Sequence, residues 1–251
     1  MAPPHAGPSP GAPPDGPSIF PSLRPNAVLS LLTIVALSYL LGAIPWGLVV
    51  ARAKGVDLRA HGSGNAGATN ALRVLGKGPG LLVFLLDFAK GLVAVVLISQ
   101  LRIGDETLVG LLGSRPELAA AWAATLAGTA AMLGHVFTIW GRLFFGSWKG
   151  GKGVATGAGM LAGLAPIPIA IAFALFVAVL AATRYVSLAS ILGAVSLPLT
   201  LLALHFGVGT PFSPPVWIFA TVVPAFIVWT HRTNVRRLLD GTEARVGSAK
   251  G

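Results

Sequence analysis

Cysteine is absent from the chain, and charge is scarce, with only 10% of its 251 residues being Asp, Glu, Lys or Arg. The first absence excludes a disulfide framework, a thiol nucleophile and a cysteine-held metal site. The second excludes an ordinary soluble domain, in which roughly a quarter of residues are charged. Acidic side chains are the scarcest, eight against eighteen Lys and Arg. Neither carboxylates nor histidines cluster as a ligand set, so neither a metal nor a cofactor is expected. What fills the chain is apolar: 54% of it is hydrophobic, in long uncharged runs that point to a membrane protein. The net charge of +10 would suit nucleic acid, but the basic residues come in short bursts between those runs. They imply a membrane surface and no nucleic acid.

Residues 1–26 hold Pro3, Pro4, Pro8, Pro10, Pro13, Pro14, Pro17, Pro21 and Pro25 among Gly and Ser, a composition that predicts a disordered tail. Residues 27–243 read as one membrane domain and 244–251 as a flexible end. The run from Ala27 to Val50 exceeds the roughly 7 to 15 residues of a signal-peptide core and is expected to stay as a span, although Ala51-Arg52-Ala53 imitates a cleavage site. Further spans are predicted at about 79–99, 119–140, 187–206 and 215–230. The stretch 153–182 contains Pro166 and Pro168 and reads either as one crossing or as two short ones split near Ala165.

Charge sidedness decides between them. With the split there are seven crossings, and Arg52, Lys54, Arg59, Arg73, Lys77, Arg142, Lys149, Lys152, Arg184, Arg232, Arg236, Arg237, Arg245 and Lys250 share one side, against Arg24, Arg102 and Arg115 on the other. The positive-inside rule then places the basic side in the cytoplasm and the N-terminus outside. The predicted fold is an all-α membrane bundle of about seven helices. One of them is short, because 153–165 reaches only about 20 Å as a helix and must pack inside the bundle as a half-span. Gly153-x-x-x-Gly157 and Gly159-x-x-x-Gly163 suit that packing.

Trp148 to Thr156, with Lys149, Gly150, Gly151, Lys152 and Gly153, combines glycines that let N–H groups converge with two lysines, a composition suited to an anion. Gly146 to Lys152 fits part of a nucleotide P-loop, but Gly153 stands where a magnesium-holding Ser or Thr belongs. Another polar patch runs from His61 to Arg73. Its Gly62, Gly64 and Gly67 lack the flanking strand of a dinucleotide site, whereas Ser63, Asn65, Thr69, Asn70 and Arg73 supply hydroxyls, amides and a guanidinium fork for phosphate. Asp87 and Lys90 share a helix face, as a buried structural pair in preference to a direct catalytic role, and His135 is either a bonded core histidine or a site residue. Arg184 to Ser190 forms an inner turn in which Ser187 either caps a helix or faces a ligand. His231 and Asn234 share a face, followed by Arg236, Arg237 and Glu243.

Taken together, S-G-N-A-G-A-T-N-A-L-R at 63–73, D-F-A-K-G at 87–91, G-H-V-F at 134–137, K-G-G-K-G-V-A-T at 149–156, R-Y-V-S-L-A-S-I at 184–191 and H-R-T-N-V-R-R-L-L-D-G-T-E at 231–243 resemble the bacterial integral-membrane acyl-phosphate:glycerol-3-phosphate acyltransferases. The resemblance covers about residues 28–243. It implies a seven-span enzyme of the bacterial inner membrane that moves a fatty acyl group from acyl phosphate to glycerol 3-phosphate, giving lysophosphatidic acid and phosphate at the first step of phospholipid synthesis. It also implies Ser63, Arg73, His231 and Asn234 as catalytic residues. Asn65, Thr69, Asn70, Lys149, Gly150, Gly151, Lys152, Gly153 and Ser187 would contact substrate phosphate, with Asp87, Lys90, His135, Arg184 and Glu243 in support. The chain departs from the pattern in two places: Thr138 replaces a usual proline, and the connection from His135 to Lys149 is longer, with Gly141-Arg142-Leu143 inside it.

An acyl phosphate is an activated mixed anhydride, so such an enzyme must chiefly position two anions and stabilise developing charge. The proton acceptor is either His231 or the donor's own phosphate, and a third route would acylate Ser63. A carrier for a phosphorylated metabolite is the alternative function.

Overall fold

The computed structural model describes residues 25–104, 108–109 and 111–247, and the secondary structure of these residues is helical apart from one antiparallel bridge between Phe137 and Lys149. The predicted disordered tail therefore lies outside the described residues up to position 24, as does the end of the predicted C-terminal tail from 248, and Arg24 with its predicted sidedness. Positions 25 and 26, expected in the tail, instead open the first helix, because proline is tolerated in a helix's first turn.

The elements are α1 (Pro25–Gly42), α2 (Trp46–Ala53), α3 (Ala68–Leu75), α4 (Lys77–Val96), α5 (Pro116–Val136), α6 (Ile139–Phe145), α7 (Val154–Leu164), α8 (Pro166–Thr183), α9 (Val186–Val208), α10 (Pro214–Thr230) and α11 (Arg232–Leu239). A 3₁₀ turn, Ile98–Gln100, extends α4. Five units are long and apolar enough to cross a membrane: α1 with α2, α4 with its turn, α5, α8 and α9. The pair α10 and α11, bent by 62°, makes a sixth. Short α7 completes the set, and the chain does break at Ala165, before Pro166 and Pro168 in the first turn of α8. The third span ends earlier than its apolar run suggests, at Val136 rather than 140.

Packing follows the chemistry of a bundle in lipid, where apolar bulk gains nothing by turning inward and small residues let helices approach. Alanine- and glycine-rich α5 is the most buried span, whereas Leu199, Phe206 and Phe173 of the outer helices face outward. Against α5 lies α1, and against α4 lies α7. The α4–α7 crossing needs glycine: a Cβ on Gly159 would sit 1.9 Å from the Phe88 carbonyl oxygen, and one on Gly91 would sit 2.1 Å from that of Thr156. This contact lets an 11-residue helix, about 17 Å long, hold its place within a bundle of full spans.

The first span is broken at Ala43-Ile44-Pro45, since Pro45 has no N–H and disfavours helix in the residue before it. Carbonyls released there cannot be left bare inside a membrane. Lys90 Nζ donates to Ile44 O at 3.0 Å, and the Thr138 hydroxyl donates to Ala43 O.

Replacing Gly159 with Val should lower the melting temperature of the detergent-purified protein by at least about 5 °C, through overpacking of α4 against α7. Gly78→Ala, where a Cβ meets nothing within 4 Å, should leave it unchanged or slightly raised, as a thermal-shift comparison of the two variants would show.

Candidate active site

One end of the bundle gathers the polar patches around a cavity of about 120 Å³. The loop before α3 contributes Ser63 and Asn65, and α3 contributes Thr69, Asn70 and Arg73; α4 and α5 contribute Asp87 and His135; the start of α7 brings Lys152 to Ala155; and α9 with the α10–α11 hinge brings Ser187, Ser190, His231, Asn234 and Glu243. Four patches whose cavity residues run from Ser63 to Glu243 thus converge, as the reading of one shared membrane face required.

The two asparagines of the first loop build it. Asn70, almost fully buried, accepts from Ser63 N at 2.8 Å and donates to the Leu58 and His61 carbonyls at 3.1 Å each. This wraps the loop around one amide and places the Ser63 side chain on the cavity wall. Gly62, in the left-handed region at φ 60°, passes so close that a Cβ would lie 2.3 Å from Asn70 Oδ1. Asn65 caps the Gly67 N–H at 2.9 Å and reaches Gly150 O at 3.4 Å, tying this loop to the lysine loop.

The lysine loop is built differently from the anion-binding turn that its composition suggests. Gly150 and Gly151 donate their N–H groups to the carbonyls of Val136 and His135 at 2.9 and 3.0 Å, so these amides are spent on the protein. Both glycines are needed for closeness, because a Cβ on Gly151 would lie 2.0 Å from His135 Nε2 and one on Gly150 would lie 1.9 Å from His135 O. Lys149 is exposed and, like Gly150 and Gly151, lies outside the cavity wall. Lys152 and Gly153 line it. Gly153 precedes α7 with no side-chain cap, so the first N–H groups of that helix, on Val154 and Ala155, lie at the cavity as ready anion donors.

The lengthened connection leaves the base of this loop undisturbed. Its extra residues form α6, with Thr138 accepting from Gly141 N at 2.9 Å as the cap. Thr138 N donates to Trp148 O, also at 2.9 Å, so the ends of the insertion are pinned together. Thr138 therefore does by hydrogen bonding what a proline does by covalent restraint.

A carboxylate organises the opposite wall. Glu243 Oε1 accepts from Ser187 Oγ at 2.8 Å and from Asn234 Nδ2 at 2.6 Å, while Oε2 accepts from Arg237 Nε at 2.7 Å. Burial alone would raise this carboxyl, but the hydrogen bonds from Arg237, Asn234 and Ser187 outweigh it and hold it below the usual range. With its nitrogen on Glu243, Asn234 turns its oxygen to Lys152 Nζ, which donates to it. Lys152 itself is depressed to about 8, first by burial and then by the neighbouring cations Arg237, Arg73 and Lys149. Arg73 donates to Ala244 O at 3.0 Å.

His231 sits at the hinge just beyond the last residue of α10. Its Nδ1 lies 2.8 Å from Ile227 O, a group that only accepts, which assigns the proton to Nδ1 and leaves Nε2 as an acceptor. Burial, followed by the charge of Lys152, lowers its pKa to about 4, so the ring is neutral near pH 7. In the floor of the cavity, buried Asp87 pairs with Lys90 Nζ at 2.8 Å and faces His135 Nδ1 at 3.4 Å. Lys90 does not reach the cavity, and neither does Arg184, whose left-handed backbone instead ends α8 and accepts from Val246 N at 2.9 Å. Ser190 belongs to the wall although sequence reasoning left it aside; its spacing of three from Ser187 puts both on one helical face.

A second, apolar groove adjoins the polar cavity, sharing Phe84, Gly153, Val154, Phe176 and Ser190 with it and running between α7, α8, α9 and α10 past Leu161, Phe173 and Leu197.

The profile of the family described as glycerol-3-phosphate acyltransferase matches residues 32–241. The chain is 40% identical over 243 residues to a glycerol-3-phosphate acyltransferase of Pelodictyon phaeoclathratiforme, covering 89% of this chain and 99% of that one. It is 43% identical over 223 residues to that of a Synechococcus species, at 88% and 97% coverage. Among solved structures it resembles PlsY, an integral membrane glycerol 3-phosphate acyltransferase. The glycerol 3-phosphate form aligns with a TM-score of 0.70 at 40% identity, over 87% of this chain and 96% of that one. The lysophosphatidic acid form aligns at 0.68 and 39%, with the same coverage.

A Lys152 that holds a phosphate has to be charged to do so, and in that role it makes kcat/KM for glycerol 3-phosphate fall as pH rises through about 8. Lys152→Arg, which stays charged throughout, should move that fall to higher pH; a profile unchanged by this substitution would assign the titration to another group. Lys152→Ala should cost roughly 10² or more in kcat/KM, against less than about fivefold for exposed Lys149→Ala.

Proposed function

The chain belongs to the glycerol-3-phosphate acyltransferase family, and we propose that it transfers a fatty acyl group from acyl phosphate to the 1-hydroxyl of glycerol 3-phosphate, giving lysophosphatidic acid and inorganic phosphate. It is an all-helical, multi-pass bacterial membrane protein. The carrier alternative gives way to acyl transfer, the activity named in its relatives. The observation that carries the donor assignment is the union of two cavities: a polar one with cations and free helix N–H groups, opening into an apolar groove. A molecule lying across both has a phosphate at one end and a hydrocarbon chain at the other. The excess of basic residues on the loops at this end of the bundle supports a cytoplasmic site with the N-terminus outside.

In this reading Arg73, Lys152 and the first amides of α7 hold phosphate oxygens, while Ser63, Ser187 and Asn234 orient the reactants. The glycerol C1 oxygen attacks the acyl carbonyl carbon, the bond from that carbon to the phosphate oxygen breaks, and phosphate leaves with the electron pair. The hydroxyl proton passes to the departing phosphate, whose basicity rises as the bond breaks. His231, with its low pKa, is too weak a base to compete; its Nε2 accepts a hydrogen bond from the neighbouring C2 hydroxyl, which leaves the C1 proton facing the phosphate and aims the C1 oxygen at the carbonyl.

Purified protein in detergent should form lysophosphatidic acid from acyl phosphate and glycerol 3-phosphate. Turnover with acyl-CoA or acyl carrier protein in place of acyl phosphate, at an equal or higher rate, would sink the donor assignment. His231→Ala should raise KM for glycerol 3-phosphate at least about tenfold and keep kcat within about tenfold; a collapse of kcat of roughly 10³ or more would make His231 the base after all.

A further inference from the structure

Behind the wall formed by Ser63, Arg73 and Glu243 lies a further cavity of about 660 Å³. This volume is in the range of roughly 300–1,000 Å³ usual for small-molecule sites. Those three residues line both it and the polar cavity, so a single partition separates the two. Its other charged side chains are Lys77 at the start of α4, Arg237 on α11 and Arg245 in the segment after α11. The one carboxylate there is Glu243, and its oxygens are already engaged by Arg237, Asn234 and Ser187. Arg245 lies over the Tyr185 ring, 5.0 Å from its centroid, and so holds its charge at the rim. In the partition, Arg73 donates one terminal nitrogen to Ala244 O, while its buried Nε has no hydrogen-bond partner.

Four cations against one carboxylate leave this cavity net positive, which concentrates small anions from the adjoining water. Resting on the acyl-transfer reading, we propose that this cavity is a second binding site for a small, water-soluble phosphate, an anteroom that exchanges its occupant with the reaction cavity across Arg73. The apolar groove cannot serve such a molecule, because a phosphate without an acyl chain gains nothing from hydrocarbon. Two sources share the chemistry: glycerol 3-phosphate on its way in, and inorganic phosphate on its way out.

The test uses Lys77→Ala combined with Arg245→Ala, neither of which touches the reaction cavity. Equilibrium dialysis with radiolabelled inorganic phosphate, read without turnover, should find one phosphate more per wild-type chain than per double-variant chain, with Lys77→Arg retaining the wild-type count. Kinetics then separates the sources. Arriving substrate predicts that kcat/KM for glycerol 3-phosphate drops about three- to tenfold in the variant at unchanged kcat, most strongly at low salt. Departing product predicts instead that inhibition by added inorganic phosphate weakens by a similar factor with substrate kinetics intact. An equal phosphate count in wild type and double variant, or kinetics that ignore the substitutions, overturns the anteroom. Failure of the acyl-transfer reading would look different: the wild-type protein would make no lysophosphatidic acid, whatever its phosphate stoichiometry.

Discussion

The buried pairing of Lys90 with Asp87 is the interaction on which the rest of the structure depends. A lone charge in the bilayer interior is costly, and an unsatisfied carbonyl costs several kcal/mol. Pro45 creates such carbonyls by breaking the first span, and one of them is met by Lys90, whose own charge is met by Asp87. The same carboxylate faces His135, and the His135 carbonyl receives the Gly151 N–H. A single ion pair thus connects the broken span, α4, α5 and the loop that delivers Lys152. Removing either partner would strand the other, which is the expensive way to break a buried pair.

Glu243 plays the corresponding part on the far wall of the cavity, and it works by direction as much as by charge. Its hydrogen bonds fix Ser187 and, through the amide of Asn234, fix which end of that amide meets Lys152. The carboxylate also limits repulsion among Lys152, Arg73 and Arg237, which would otherwise push one another apart when no substrate is bound. In the proposed reading, a substrate phosphate entering the cavity would join an array already oriented for it, so little reorganisation would be required at the moment of reaction.

Much of this was legible in the sequence, because lipid imposes strict rules. Span length, the break before Pro166 and the shared face of four polar patches all follow from hydropathy and from the sidedness of Arg and Lys, and the α4–α7 contact was foreshadowed by the spacing of Gly159 and Gly163. What could not be read was the destination of individual N–H groups. The glycines of the lysine loop look like an anion nest, yet Gly150 and Gly151 serve a close approach to His135 and spend their amides there. Composition sets what a backbone can do, and only the partner's position decides which use prevails. The same holds for Asn65 and Asn70, which line the cavity while their amides also shape the loop, and for Arg184, whose left-handed backbone ends α8. The longer connection at Thr138 was flagged as a departure without its remedy being visible, since a pinned insertion and a loosened one have the same composition.

The position of the site follows from the chemistry that it serves. One reactant is a hydrocarbon chain that belongs in lipid, the other a phosphate that belongs in water, and no interior cavity or open loop satisfies both. A half-length helix does. Because α7 is short, its N-terminus brings unpaired N–H groups to the polar cavity, while its body, glycine-tight against α4, lines the apolar groove. The cost of an incomplete span, offset by the Gly91 and Gly159 contacts, is what places anion donors and apolar walls within one helix's length of each other. A full-length helix here would carry those donors away from the lipid, and the acyl carbonyl would no longer meet the glycerol hydroxyl.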